Sequence, residues 1–276
     1  MKKFFRPSLF SFIIALFLAS SLPGQDVSGP KAPSIVKDKD DFHIYLLIGG
    51  SNMLGKTTFS KPDQHNDSRV FVLNSKDEWV SSEEIQKFPD RNADVENCGP
   101  GLAFGRAIVS RSGNGVSIGL INCAVDNSSI KSWLKGQDLY QKAVQKTKLA
   151  MKTGTIKGIL WNQGEADALS MDLKTYNDSL SKMIEDLRTD LAPEQKIHPL
   201  PFSGSKLATF PYDKEKDKYK NFNENMEKIF LDIQRRGLVD TKGLNTKGES
   251  TIFDNDSLIE IGRRYAAMMT YLYGLN

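Results

Sequence analysis

The chain has 276 residues, with 37 Lys and Arg against 34 Asp and Glu and a formal net charge of +3. Three of the bases, Lys2, Lys3 and Arg6, precede the first acid, Asp26, and setting them aside leaves bases and acids equal in number. A neutral body of about 250 residues suits one α/β domain with a single large core, and it excludes an electrostatic drive toward nucleic acid or an anionic membrane.

The basic start Met1-Lys-Lys-Phe-Phe-Arg6 is followed by an apolar run from Phe12 to Ala19, small residues at Ser20 and Ser21, and a turn at Pro23-Gly24. That order reads as a secretory signal peptide over residues 1–24, because the apolar run is too short to span a bilayer. Residues 25–40 are polar, with Pro30 and Pro33, and read as a flexible lead-in. The expected location is secreted or periplasmic, with no membrane attachment once the signal is cleaved. The remaining 41–276 forms one expected domain, and nothing in its sequence specifies an oligomer.

Along that domain, strand-like runs alternate with helical periodicity. Strands are expected over His43–Ile48, Val116–Asn122, Ile156–Trp161, Ile197–Phe202 and Leu238–Asp240. Arg69–Leu73 and Glu78–Val80, around Asn74-Ser-Lys-Asp77, read as a peripheral hairpin. Apolar residues three and four apart predict helices through Leu169, Leu173, Tyr176, Leu180, Met183, Leu187 and Leu191, through Phe222, Met226, Ile229 and Ile233, and through Leu258, Ile261, Tyr265, Met268 and Leu272. Gly204–Lys218 reads as an exposed loop. The alternation implies a parallel sheet of about five strands covered on both faces, a three-layer α/β/α sandwich. Cys98 and Cys123 could pair in an oxidising compartment, or Cys123 could pack as a free thiol in its strand.

In such a sheet, ligands bind outside the carboxyl ends of the strands. The unusual polar residues fall there: Ser51 after the first strand, Asp126-Asn127 after the second, and Gln163-Gly-Glu-Ala-Asp167 after the third. Gly49-Gly50-Ser51 turns a strand sharply into a helix, whose first amides carry partial positive charge toward the serine. That geometry suits a nucleophile whose adduct becomes an oxyanion. It equally describes an anion nest, or an ordinary turn with a serine helix cap.

The blocks Leu46-Leu-Ile-Gly-Gly-Ser-Asn-Met-Leu-Gly55, Gly99-Pro-Gly-Leu-Ala-Phe-Gly105, Ser128-Ser-Ile-Lys-Ser-Trp133, Leu160-Trp-Asn-Gln-Gly-Glu-Ala-Asp167 and Gly262-Arg-Arg-Tyr-Ala266 occur in this order. Together they resemble the sialate O-acetylesterase-like carbohydrate esterases of the SGNH hydrolase superfamily, from about His43 to Tyr273. The resemblance implies removal of acetyl groups from a glycan or acetylated polysaccharide, without cofactor or metal. By position it makes Ser51 the nucleophile and Gln163 a side-chain oxyanion donor beside the Ser51 amide. Glu165 and Asp167 are expected to hold their loop together rather than perform chemistry.

Five positions depart from the family's pattern. Gly50 stands where a glutamine is usual, and Asp126-Asn127 where Gly-Gly is usual. A carboxylate at 126 would repel a developing oxyanion, unless Asp126 points away as a turn or capping residue. The usual Asp-x-x-His-Phe-Asp reads here Glu249-Ser-Thr-Ile-Phe-Asp254, so Glu249 falls at the orienting position and Ile252 at the base. An isoleucine neither accepts nor donates a proton. Among the three histidines, His43 and His198 open strands, and His65 lies in a polar loop that could fold over the cleft. Three readings follow: an esterase with a weakened or relocated base, a non-catalytic glycan-binding pseudoenzyme, or a structural or partner-binding scaffold.

Overall fold

The computed structural model describes residues 29–55, 67–83, 99–209, 216–232, 234–248 and 250–274. The signal segment 1–24, His65, Cys98, Ile233 and Glu249 lie outside the described residues. A seven-stranded sheet runs β1 (Phe42–Gly49), β2 (Val70–Leu73), β3 (Trp79–Ser81), β4 (Ser117–Asn122), β5 (Thr155–Asn162), β6 (Phe202–Ser205) and β7 (Arg236–Val239), in the spatial order β3-β2-β4-β1-β5-β6-β7. All neighbours are parallel except β2 and β3.

The expected peripheral hairpin is therefore part of the main sheet, which has seven strands rather than about five. Val70–Val72 pair with Ile118–Leu120 of β4, and all four residues of β2 are buried. An uninterrupted apolar run such as Val-Phe-Val-Leu marks a strand covered on both faces, not an exposed ribbon. The sixth strand also lies downstream of its expected place. Ile197 is 81% exposed, whereas Phe202-Ser-Gly-Ser205 is wholly buried. Its small residues are dictated by a neighbour: a Cβ on Gly204 would lie 2.6 Å from the Phe230 ring.

β1 shows how the sheet separates two cores. Ile44, Leu46 and Ile48 join one cluster, with Trp133, Trp161, Tyr176 and Phe222, while Tyr45 and Leu47 join the other, with Phe104 and Tyr265. The period-two alternation of a strand sends successive side chains to opposite faces, and here both faces are covered. The first core is roofed by α3 (Asp138–Ala150), α5 (Leu173–Leu191) and α6 (Lys216–Ile229), and the second by α2 (Gly101–Val109) and α7 (Asn255–Leu272). α5 begins after Leu169 because the Asp172 carboxylate caps it, accepting from the Thr175 amide at 2.9 Å. Cys123 is a free thiol packed against the first core, its pKa pushed up to about 12 by burial. No helix among the described residues is long and apolar enough to cross a membrane.

α2 and α7 approach so closely at Gly262 that a Cβ there would lie 2.3 Å from the Pro100 carbonyl oxygen and 2.8 Å from the Ala103 Cβ. The obstacle is main chain, so it cannot swing aside. Gly262→Ala is expected to lose roughly 1–3 kcal/mol to overpacking, in spite of alanine's better helix propensity. Urea unfolding followed by circular dichroism reads this as a lower midpoint, and an unchanged midpoint would mean the helices part freely.

Candidate active site

Three adjacent strands, β4, β1 and β5, bring their carboxyl ends to one edge of the sheet. Gly49 closes β1 with φ +133°, and a Cβ on it would lie 2.0 Å from the Asn162 carbonyl oxygen. The same oxygen accepts from the Gly50 amide at 2.7 Å. The ends of β1 and β5 thus touch through backbone, and only glycine fits between them. The chain then turns into the single turn of α1 (Ser51–Leu54), closed by a left-handed Gly55 whose amide donates to the Ser51 carbonyl.

Ser51 stands half-buried at the start of that turn, and its hydroxyl donates a hydrogen bond to Oδ1 of Asp126. The Asn127 amide lies 3.4 Å from the same Ser51 Oγ. Asp126 therefore faces the serine, and the alternative of a capping residue turned away is not what the structure has. Asn127 has φ +50°, a left-handed conformation that asparagine tolerates better than most residues. The turn keeps a glycine-like backbone although both glycines are absent.

Gln163 takes a different part from the oxyanion donor expected of it. It is 1% exposed, and its amide donates to the Ser128 carbonyl at 2.8 Å and to Asp167 Oδ2 at 2.6 Å. Its Oε1 accepts from the Tyr176 hydroxyl at 3.1 Å. Both amide hydrogens are committed inward, which leaves none for a bound oxyanion. Asp167, on the single turn α4 (Glu165–Ala168), also accepts from the Ser129 hydroxyl and the Ile130 amide, so together Gln163 and Asp167 bracket the β4 and β5 loops.

The residue that organises the cleft is Asn52, which the sequence reading passed over. Its side chain is 1% exposed. Nδ2 donates to Glu165 Oε1 at 2.8 Å and to the Thr251 carbonyl at 2.9 Å, while Oδ1 accepts from the Phe253 amide at 2.9 Å. The two main-chain groups that flank Ile252 are thereby fastened to the residue after Ser51. The available signal was a polar residue beside an apolar one in the turn after β1, Asn52 before Met53, both buried.

Ile252 is half-buried on this fastened segment, its carbonyl accepting from the Lys247 amide and its amide donating to the Ser250 hydroxyl. Asp254 caps α7 through the Ser257 amide at 2.8 Å, so that carboxylate is engaged in the helix rather than in the cleft. His43 pairs across the amino-terminal ends of β1, β4 and β5, and His198 precedes β6. Both described imidazoles lie at the far end of the sheet from Ser51. Burial, reinforced by Lys157, holds the His43 imidazole below its ordinary pKa.

Burial pushes the Glu165 carboxyl above the usual range, partly offset by a main-chain hydrogen bond and the Asn52 amide, with Asp167 adding to the rise. A raised carboxyl pKa stabilises the fold below the unfolded value of about 4.3, and that contribution is lost as pH rises through the folded value. Glu165→Gln should accordingly gain on the parent protein as pH climbs from about 4 toward neutrality. Urea midpoints of both proteins at pH 4 and pH 7 test this, and a pH-independent difference would rule out a raised Glu165.

Residues 41–271 match the family described as "Carbohydrate esterase, sialic acid-specific acetylesterase". A probable carbohydrate esterase of Arabidopsis thaliana is 28% identical over 263 residues, covering 88% of this chain and 94% of that protein. A solved Arabidopsis thaliana protein superposes with a TM-score of 0.67 at 24% identity, over 83% of this chain and 98% of its own. The structure of NanS gives 0.68 at 16% identity, over 87% and 100%. A carbohydrate acetylesterase of Xanthomonas citri gives 0.62 at 19% identity, over 84% of this chain and 56% of its own. At these identities the structures establish the shared fold.

Proposed function

Because the chain belongs to the carbohydrate esterase family of sialic acid-specific acetylesterases, we propose that it is an exported member that binds acetylated glycans and hydrolyses them weakly or not at all. The observation that carries this reading is the environment of Ser51. Its hydroxyl donates to the Asp126 carboxylate, while the segment fastened beside its helix presents the aliphatic Ile252. Acyl transfer by serine requires a base that takes the hydroxyl proton and returns it to the leaving group. An imidazole matches that task near neutral pH, and an aliphatic side chain cannot perform it at all.

Asp126 is unfavourable for a second reason. The tetrahedral adduct of an ester places negative charge where amide hydrogens must meet it. Asp126 puts a carboxylate beside that position, and the Gln163 hydrogens are engaged elsewhere. The Ser51 amide, at the start of α1, and the Asn127 amide, 3.4 Å from Ser51 Oγ, are the remaining donors in this reading, with Glu249 at the place of the orienting acid. Loss of one triad member lowers turnover on the order of 10⁴–10⁶-fold, since the group acts as a unit.

Binding is better supported than turnover. A side chain at residue 50 would meet only ordinary contacts, with Glu165 Oε2 at 3.7 Å and the Asn162 oxygen at 3.9 Å from its Cβ. Gly50 therefore leaves room beside Ser51 that a larger residue would fill. A neutral body and a cleft at three strand ends favour an uncharged acetylated sugar over nucleic acid or membrane. The hydrogen bond between Ser51 and Asp126 also supports a second reading, slow hydrolysis with Asp126 as a relocated base.

Hydrolysis of p-nitrophenyl acetate and acetylated xylan separates these readings. The protein and its Ser51→Ala variant should turn over at similar rates, with both retaining acetylated xylan in affinity electrophoresis. Combining Ile252→His with Asp126→Gly should raise serine-dependent turnover by about 10²-fold or more, the scale of general-base assistance. Slow parental activity abolished by Ser51→Ala and by Asp126→Asn would select the relocated base. Brisk parental activity that depends on Ser51 alone would overturn the proposal.

A further inference from the structure

A cavity of about 800 Å³ opens at the opposite end of the sheet from Ser51, between the chain that follows α2 and the last turns of α7. Its floor is the amino-terminal part of β1 and β5, through Tyr45 and Lys157, and its walls include Ile108 and Ala267. Along the extended β1 strand, His43 and Gly49 lie six residues apart, so the cavity is roughly 20 Å from the cleft at about 3.3 Å per residue. The two are separate sites on opposite edges of one sheet.

The side chains of this cavity are unbalanced in charge. Lys157 and Arg111 both line it, and no acidic residue does. Among the described residues no carboxylate forms an ion pair with either, and Arg111 makes one hydrogen bond, from Nη1 to the Ala107 carbonyl at 2.6 Å. His43, the third nitrogenous group, is kept toward its neutral form by burial, and the nearby Asp40 and Asp41 act against that shift.

Tyr45 adds a neutral donor to the two cations. It is 3% exposed and lines the cavity, and among the described residues its hydroxyl has no hydrogen-bond partner. Burial and the neighbouring Tyr273 hydroxyl hold it protonated, as a donor. The Tyr273 hydroxyl is itself engaged, donating to the Lys157 carbonyl. A phenol hydroxyl that lines a cavity without a protein partner can donate to whatever occupies it. A cavity of this volume, with apolar walls and a few convergent polar groups, has the composition of a small-molecule site.

We propose that this cavity binds a small organic anion with an apolar body, of the arylcarboxylate class, its carboxylate facing Lys157, Arg111 and the Tyr45 hydroxyl and its body lying against Ile108 and Ala267. Charge selects the anion and the walls select an apolar remainder. The site is independent of the esterase reading, since it shares no residue with the Ser51 cleft.

Titration calorimetry with benzoate, and with benzyl alcohol as its uncharged counterpart, tests the assignment. Benzoate should bind saturably with one site per chain, and benzyl alcohol about tenfold more weakly, the scale of one charge-assisted hydrogen bond. Lys157→Gln and the exposed Arg111→Gln should each weaken benzoate several-fold, and Tyr45→Phe likewise, with folding of each variant checked by circular dichroism. Asp126→Asn, in the other cleft, should leave benzoate binding unchanged. Absence of saturable binding, equal affinity for acid and alcohol, or loss of binding in Asp126→Asn rather than in Lys157→Gln and Arg111→Gln would overturn it.

Discussion

One buried amide, that of Asn52, ties the end of β1 to the segments that follow β5 and β7. Its hydrogen bonds reach Glu165 after β5 and both main-chain groups that flank Ile252. Those partners lie 113, 199 and 201 residues away in sequence, so the contact closes the longest loops around the site. In a dry setting such a network is worth more than its members separately, and losing Asn52 would leave a buried amide and carbonyl unpaired. The rest of the cleft follows from it. With Ser51 beside Asn52 and the 251–253 segment fastened, the backbone at 252 is held next to the turn that carries the serine.

Beneath this hub is a steric constraint rather than a polar one. β1 and β5 end in backbone contact at Gly49 and Asn162, and α2 and α7 meet in backbone contact at Gly262. Both contacts depend on a missing side chain. The sheet therefore presents Ser51 on a support that cannot spread. Placement of the serine is a property of the framework and does not depend on the proton chemistry around it.

Much of this was legible in the sequence, for identifiable reasons. β1, β4 and β5 were readable because their side chains are buried on both faces, giving long apolar runs. The placement of Ser51, Asp126 and Gln163 at strand ends followed from the same pattern. β6 was not readable, since Phe202-Ser-Gly-Ser205 carries one large apolar residue and owes its burial to Phe230 above it. Nor could the sequence tell which way Asp126 faces. That depends on the left-handed turn at Asn127, which residue type permits but does not dictate. Gln163 was placed correctly at its strand end but not given its partners, because the bond to Ser128 arises only once two loops are packed together and the bond to Asp167 only once its own loop turns back.

Asn52 grips its neighbouring segment by the carbonyl of Thr251 and the amide of Phe253, never by the side chain between them. Main-chain atoms are common to all amino acids, so the grip is indifferent to what residue 252 happens to be. Lineages can therefore exchange that side chain without dismantling the architecture. In a fold held this way, residue 252 can vary while the vessel around the serine persists.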